Sequence, residues 1–495
     1  MLDALLAAIA SAAQPASLFG IFVGTAIGVV IGALPGLTAT MGMALLSPFT
    51  FFLPPTIGIP FLIGLYKGGT FGGSISAVLI GTPGTASNAA TMLDGYALAQ
   101  KGEGPRALSL ALWASVFGDL IGTLSLVIGA PLLAAFALRF GSPEFFALTL
   151  FSLTLVCYVS GASLAKGLLA AATGMTLALV GTDPIGGSPR FTFGIQDLGA
   201  GIGVIPLAIG LFGLSEVLVQ LTGFRAKDLE APIRATTFPI RQAIAELKRY
   251  PRTILRSSLI GTAIGALPGV GAETSNWVAY GMAKRASREP ESFGKGNIEG
   301  VIAPEVAANA VCGAAMVPML VFGIPGDIVT AIMMGALIAQ GLQPGPSLIA
   351  ENASVFYSLF VSMFFAMVAL AVVGYFSVRY AGRILSAPKP LLFSVVTVLC
   401  FAGTYAVNAS VFDVGLMVGF GILGWLMRQF GVPIAPLVLA FILSRLVEDS
   451  LRRTLIHSEG SLLVFLERPI ALAFLVLTGL ILGSIVLRQR AAKAS

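Results

Sequence analysis

Apolar residues along this chain fall in long blocks rather than in alternation. The runs LFGIFVGTAIGVVIGAL (18–34), SVFYSLFVSMFFAMVALAVVGYF (354–376) and ALAFLVLTGLILGSIVL (471–487) approach or reach the roughly 20 residues that carry a helix across a bilayer. Many similar runs lie between them. The ~10-residue alternating segments of a transmembrane β-barrel do not occur. The pattern predicts an all-α polytopic membrane protein with about 10–12 membrane segments.

Four of the blocks are interrupted by helix-breaking residues. GALPG stands at 32–36 and again at 265–269, and further Pro-Gly pairs stand in LIGTPGTASN (79–88) and FGIPGD (322–327). Proline removes a backbone donor and glycine costs roughly 1 kcal/mol against alanine inside a helix. In a membrane the freed backbone groups have no water to bind. Such breaks need a return.

The breaks belong to a duplication. GTAIGVVIGALPG (24–36) is echoed by GTAIGALPG (261–269), and LIGTPGTASNAATMLDGYALAQKGEGP (79–105) by LVFGIPGDIVTAIMMGALIAQGLQPGP (320–346). FGSPEFFALTLFSLTLVC (140–157) pairs with LSAPKPLLFSVVTVLC (385–400), and IPLAIGLFGLSEVL (205–218) with APLVLAFILSRLVE (435–448). The expected organisation is an amphipathic lead-in (1–17), a first repeat (18–222), a basic connector (223–255), a second repeat (256–460), and a last transmembrane helix with a basic tail (461–495).

Composition and charge orient the copies. The chain is 56% hydrophobic and 11% charged, with a net charge of +6. The bases cluster in short loops between apolar runs, which reads as positive-inside bias and not as a nucleic-acid surface. Corresponding loops differ in charge. SPFTFFLPPT (47–56) has no base while KRASREPESFGKG (284–296) has four, and KGEGPR (101–106) has two while GLQPGP (341–346) has none. With 225–256 placed in the cytoplasm, an inverted second copy puts 22 of the 29 Lys/Arg inside. The expectation is therefore two inverted-topology repeats with broken helices, a periplasmic N-terminus and a cytoplasmic C-terminus. This topology makes 18–46 and 256–283 helical hairpins tipped by GALPG; a continuous broken span is the competing geometry.

Polar residues gather just after the breaks. In inverted-repeat transporters, half-helix starts near the midplane attract anionic groups, and unwound carbonyls coordinate cations. Candidate substrate contacts are Gly36, Thr38, Ala39, Thr40, Thr85, Ser87, Asn88, Ser275, Asn276, Pro325 and Gly326. Candidate cation ligands are Gly32, Pro35, Gly84, Gly269, Thr274, Asp327 and Thr330. Lys67, Glu273 and Glu305 are candidate charge partners, and Lys67 could equally pair with an acidic neighbour. Ser, Thr, Asn and Asp are also ordinary N-caps, so any one of them has a structural reading beside the functional one. Cys157, Cys312, Cys400 and the single His457 are isolated and suggest neither a disulfide framework nor a metal site, so no metal is expected beyond a coupling cation. An intramembrane hydrolase or acyltransferase would need a nucleophile with a base, or metal ligands. One histidine argues against most of these, leaving a passive anion channel as the other alternative.

GALPGLTATMG (32–42), KGGTFGGSISAVLIGTPGTASNAATMLDGYALAQKGEGPRAL (67–108) and NIEGVIAPEVAANAVCGAAMVPMLVFGIPGD (297–327) closely resemble the large membrane subunit of tripartite tricarboxylate transporters, TctA. The resemblance runs over most of the chain. It implies a bacterial inner-membrane importer of tricarboxylates or dicarboxylates, not an enzyme, driven by a cation gradient with Na⁺ the usual expectation and no other cofactor. It also implies two partners, a small four-helix membrane subunit and a periplasmic substrate-binding protein. An elevator-like motion of the hairpin-bearing core would fit such an architecture.

Overall fold

The computed structural model describes residues 2–159, 163–223 and 238–494. Residues 224–237, part of the basic connector, lie outside the described residues. Among the described residues, eight helices are long and apolar enough to cross a membrane, and four shorter apolar helices accompany them. The only sheet described is a two-stranded pair in which Gly181 opposes Arg190. The chain is an all-α polytopic membrane protein.

The first half begins with α1 (Pro15–Ala33), α2 (Ala39–Leu46) and α3 (Pro55–Ile80). Gly20 of α1 meets Ile57 of α3, and Gly32 meets Gly69, so the two helices run side by side in the same direction. The Ser17 hydroxyl donates to the Thr56 carbonyl at 2.6 Å, so α3 starts level with the start of α1. The intervening chain must therefore return, and α2 is its descending arm. α1 and α2 form a helical hairpin.

The second half repeats this geometry in α9 (Pro251–Gly265), α10 (Gly271–Ala286) and α11 (Glu299–Ala314), numbered after the five helices of the first half given below. Thr253 at the start of α9 donates to Glu299 at the start of α11, and Gly261 lies against Ala307. Again the first and third helices run parallel and the second returns, so α9 and α10 are also a hairpin. The continuous broken span is excluded at both places. Both tips need a left-handed glycine, Gly36 at φ 91° and Gly269 at φ 78°, which is why the GALPG motif ends as it does.

The hairpins point in opposite directions. Cys312 of α11 contacts the Thr70 hydroxyl of α3 at 3.5 Å, while Glu305, earlier in α11, lies beside Ser74, later in α3. α3 and α11 are thus antiparallel, and each carries its hairpin with it.

The remaining helices exchange partners between halves. In the first half these are α4 (Ala89–Leu98), α5 (Gly104–Ala137), α6 (Ser142–Val159), α7 (Leu164–Ala178) and α8 (Ser215–Gly223, entered through a π-turn over Ile209–Leu214). The second half supplies α12 (Ile328–Ala339), α13 (Ala353–Arg379), α14 (Lys389–Asn408), α15 (Val411–Gln429) and α16 (Ile434–His457). α5 packs on α11, with Gly118 against Val306 and Gly122 against Ala310, while α13 packs on α3, with Gly374 against Phe71. Likewise Gly174 of α7 meets Leu437 of α16, and Gly210 of the π-turn meets Met417 of α15. The last helix, α17 (Pro469–Ala494), lies against α6 through Phe151 and Phe474.

Loop ion pairs join groups that the charge pattern places on one side. Arg106 pairs with Glu246 on the basic side. On the other side Arg190 and Arg452 both hold Glu448, and Arg452 also holds Asp183 at 2.7 Å.

Candidate functional site

Each break starts a new helix, and the starts after Gly84 and Gly326 are gripped from both halves. After the first Pro-Gly break, Thr85 leads through a short 3₁₀ turn, Ala86–Asn88, into α4. On one side Gly84 presses against α1 so closely that a Cβ there would stand 1.9 Å from the Gly32 carbonyl oxygen. On the other side Asn276 of the second hairpin donates its amide to the Ala86 carbonyl at 3.2 Å and accepts the Ala90 N–H at 3.2 Å. Asn276 therefore caps α4 from another segment of the chain.

Below that turn lies a wholly buried polar cluster. Asn88 donates to Ser74 at 2.8 Å and to Glu305 at 3.1 Å, and its carbonyl oxygen accepts from Thr85 and Ser87. Glu305 also accepts from Thr91 at 2.6 Å and from Ser115 at 2.9 Å. The cluster thus joins α3, α4, α5 and α11. Glu305 is the candidate that the structure brings into it together with Asn88, Thr85 and Ser87, while Asn276 grips the adjoining turn and Gly84 abuts Gly32.

The second break is gripped differently. Gly269 at the tip of the second hairpin donates its N–H to the Gly326 carbonyl at 2.8 Å. Asp327 is the N-cap of α12, with a capping box in which its carboxylate accepts from the Thr330 N–H at 2.7 Å and hydroxyl at 2.8 Å. Its other oxygen accepts the Tyr66 hydroxyl of α3. Glu273, exposed on α10, lies within electrostatic range of Asp327. The Asp327 and Thr330 oxygens are engaged in helix capping, and Pro325 shapes the break before them.

Several candidates have structural duties. Thr38 is the N-cap of α2, accepting from the Met41 N–H at 3.1 Å, and Ser275 bonds the Ala272 carbonyl of its own helix at 3.1 Å. Thr40 and Thr274 are half-buried beyond their tips, while Ala39 is buried against Gly69 and so faces α3 rather than a binding space. Pro35 and Gly36 stand at the first tip, where Gly36 approaches Gln220 and Glu216 of α8. Of Thr38–Thr40 and Ser275–Asn276, Ala39 and Asn276 contact the first-half core, and the break at Gly84–Asn88 lies between Gly32 and Asn276.

Of the two readings of Lys67, the structure shows the pairing with an acidic neighbour. Its ammonium bonds Asp119 at 2.8 Å, Thr123 at 3.2 Å and the Met363 carbonyl at 2.5 Å, with neither Lys67 nor Asp119 exposed. An ammonium has three donors, and all three are used.

Ser74, Thr91, Ser115 and Tyr66 escaped the sequence reading. Hydroxyls inside apolar helices carry little local signal; the i, i+3 spacing of Asn88 and Thr91, which sets both on one helix face, was the available clue.

Opposed hairpins, broken helices meeting inside the protein, and a buried polar cluster at a break define a multi-pass membrane transport protein. The model of the tripartite tricarboxylate transporter TctA family matches residues 18–439. The chain is 36% identical over 465 residues to an uncharacterized 52.8 kDa protein of the TAR-I ttuC' 3' region of Agrobacterium vitis, covering 94% of this chain and 92% of that one. An uncharacterized protein of the TAR-II ttuC' 3' region of the same organism is 36% identical over 215 residues, 43% of this chain and 89% of that one. No solved structure matches. The chain belongs to the TctA family. Membership makes it the large subunit of a tripartite tricarboxylate transporter, working with two further components.

Proposed function

We propose that this chain imports a tricarboxylate or dicarboxylate across the bacterial inner membrane, with a Na⁺ gradient as the driving force. A periplasmic binding protein delivers the substrate, and a small four-helix membrane subunit completes the complex. Residues 18–222 and 256–460 act as inverted repeats, with the N-terminus periplasmic and the C-terminus cytoplasmic. The observation that carries this reading is the Gly84–Asn88 break, held between the first hairpin at Gly32 and the second at Asn276. A helix start there directs first-turn N–H groups and a positive dipole end toward a carboxylate.

The substrate contacts we favour are Thr85–Asn88 with Thr274–Asn276, approached from the first tip by Gly36, Thr38 and Thr40. Lys67 has no part in this contact. The two hairpins then move with the core helices α3, α5, α11 and α13 against the outer helices, in an elevator-like exchange of access. The test is uptake of labelled carboxylates into proteoliposomes holding the chain and its membrane partner, with the binding protein outside. Accumulation of unchanged substrate that follows an imposed Na⁺ gradient is expected. Chemical conversion without accumulation, or flux with no ion dependence, would overturn the proposal.

A further inference from the structure

Glu305 presents an electrostatic problem that its hydrogen bonds do not solve. Its side chain is 0% exposed, in a helix at the centre of a membrane protein. Among the described residues it takes part in no ion pair; the buried ammonium on the facing helix, Lys67, is held by Asp119. Every donor that reaches it is neutral: the Asn88 amide and the hydroxyls of Thr91 and Ser115, with Ser74 alongside. A buried carboxylate without a counter-charge is among the most costly groups a membrane protein can carry.

The donors have a second property in common, which is that each also offers oxygen. Thr91, Ser115 and Ser74 have hydroxyl lone pairs. The Thr91 and Ser115 protons can turn back to carbonyls one helical turn earlier, as helical hydroxyls commonly do. A half-turn of the Asn88 amide would present its oxygen to Glu305 and Ser74, and its NH₂ to Thr85 and Ser87, whose hydroxyls accept as readily as they donate. The Glu305 carboxylate would then be faced by neutral oxygens from Asn88, Thr91, Ser115 and Ser74. A single proton needs one acceptor, whereas a hard cation is held by several oxygens together. One positive charge also balances the site, where a divalent ion would leave an excess. One turn along α11, on the same face, Asn309 donates to the Glu305 carbonyl at 3.0 Å while its own Oδ1 is buried without a hydrogen bond.

We propose that Glu305, with Asn88, Thr91, Ser115 and Ser74, binds Na⁺. The inference rests on the transport reading and gives its coupling ion a location. It differs from the cation ligands expected at Asp327 and Thr330, whose oxygens are occupied by a capping box. Coupling follows from connectivity. Asn88 ends the turn that Asn276 grips through Ala86, so an ion on Asn88 and Thr91 orders the same break that faces the carboxylate. Each ligand then raises the affinity of the other by the same factor.

The test needs neither substrate nor partners, so it stands apart from the import reading. Binding of radioactive ²²Na⁺ to the purified full-length chain is measured with choline balancing ionic strength. Saturable binding by wild type is expected, falling at least about tenfold in Glu305→Gln, which keeps the shape and loses the charge. Ser115→Ala and Thr91→Val keep the charge and are expected to weaken binding severalfold while remaining folded, which covers a failure of Glu305→Gln to fold. Wild-type binding retained in Glu305→Gln, or unchanged in both hydroxyl variants, would overturn the site. So would a wild-type chain that binds no Na⁺. Failure of carboxylate uptake with Na⁺ binding intact would count against the import reading alone.

Discussion

Asn276 and Ala90 lie in different halves of the chain, yet the Asn276 side-chain oxygen accepts the Ala90 N–H at 3.2 Å at the start of α4. A cap supplied from 186 residues away fastens the second hairpin to the first-half break. Any motion of that hairpin must either carry α4 with it or leave the N–H unpaired.

Replacing the cap tests this link. Asn276→Ala removes one acceptor and leaves a buried N–H, a loss of about 1–3 kcal/mol. The variant is expected to insert normally and to lose about tenfold or more in substrate affinity, measured by uptake against substrate concentration. Wild-type affinity and Na⁺ dependence would remove Asn276 from the site.

Lys67 should behave as a structural ion. Lys67→Met leaves Asp119 buried and unpaired and is expected to cost about 3–5 kcal/mol. The double variant Lys67→Met with Asp119→Leu should recover most of that loss, read by thermal stability in detergent. Equal stability of the single and double variants would contradict the pairing.

Lys67 also illustrates what the sequence could convey. The breaks were legible because Pro and Gly act locally, and the duplication made GALPG visible twice. Opposed charge in matching loops gave the hairpins their directions. The partner of Lys67 was not legible, since Asp119 lies 52 residues away and only packing of α3 on α5 brings them together. Glu305 carried the same ambiguity. Its hydroxyl neighbours at Ser74, Thr91 and Ser115 come from three other helices, and no local pattern marks them. Thr38 and Asp327 were visible as polar residues after breaks, but whether they cap or bind is decided by where their oxygens point.

Close approach at the first break predicts a position-specific effect of a single methyl group. Gly84→Ala would place its Cβ against the Gly32 carbonyl and is expected to destabilise by about 1–3 kcal/mol or more. Gly129→Ala on α5, where a Cβ meets nothing within 4 Å, should be neutral or stabilising by up to about 1 kcal/mol. Thermal unfolding of the two variants checks the contrast, which disappears if Gly84 only sits in a flexible loop.

The loop face that joins Asp183 to α16 should be sensitive only to acid. The Arg452 guanidinium, then the Ile185 N–H, hold the Asp183 carboxyl well below the usual carboxylate range. A depressed value means its stabilising contribution is complete above the ordinary value of about 4 and is lost as pH falls through the lowered one. Asp183→Asn should therefore be less stable than wild type at pH 7, with the difference shrinking only below about pH 4. A difference that closes between pH 5 and 8 would point to another group.

In the proposed exchange of access, the two opposed hairpins, which hold the Gly84–Asn88 break at Gly32 and Asn276, expose it to opposite sides of the membrane in turn. Thr40→Cys and Thr274→Cys, each introduced after Cys157, Cys312 and Cys400 are replaced and labelled by a membrane-impermeant maleimide in sided vesicles, test it most directly. Adding Na⁺, substrate and the binding protein should lower labelling of one tip from its own side while raising that of the other from the opposite side. Labelling of both tips from one side, unchanged by ligands, would contradict it.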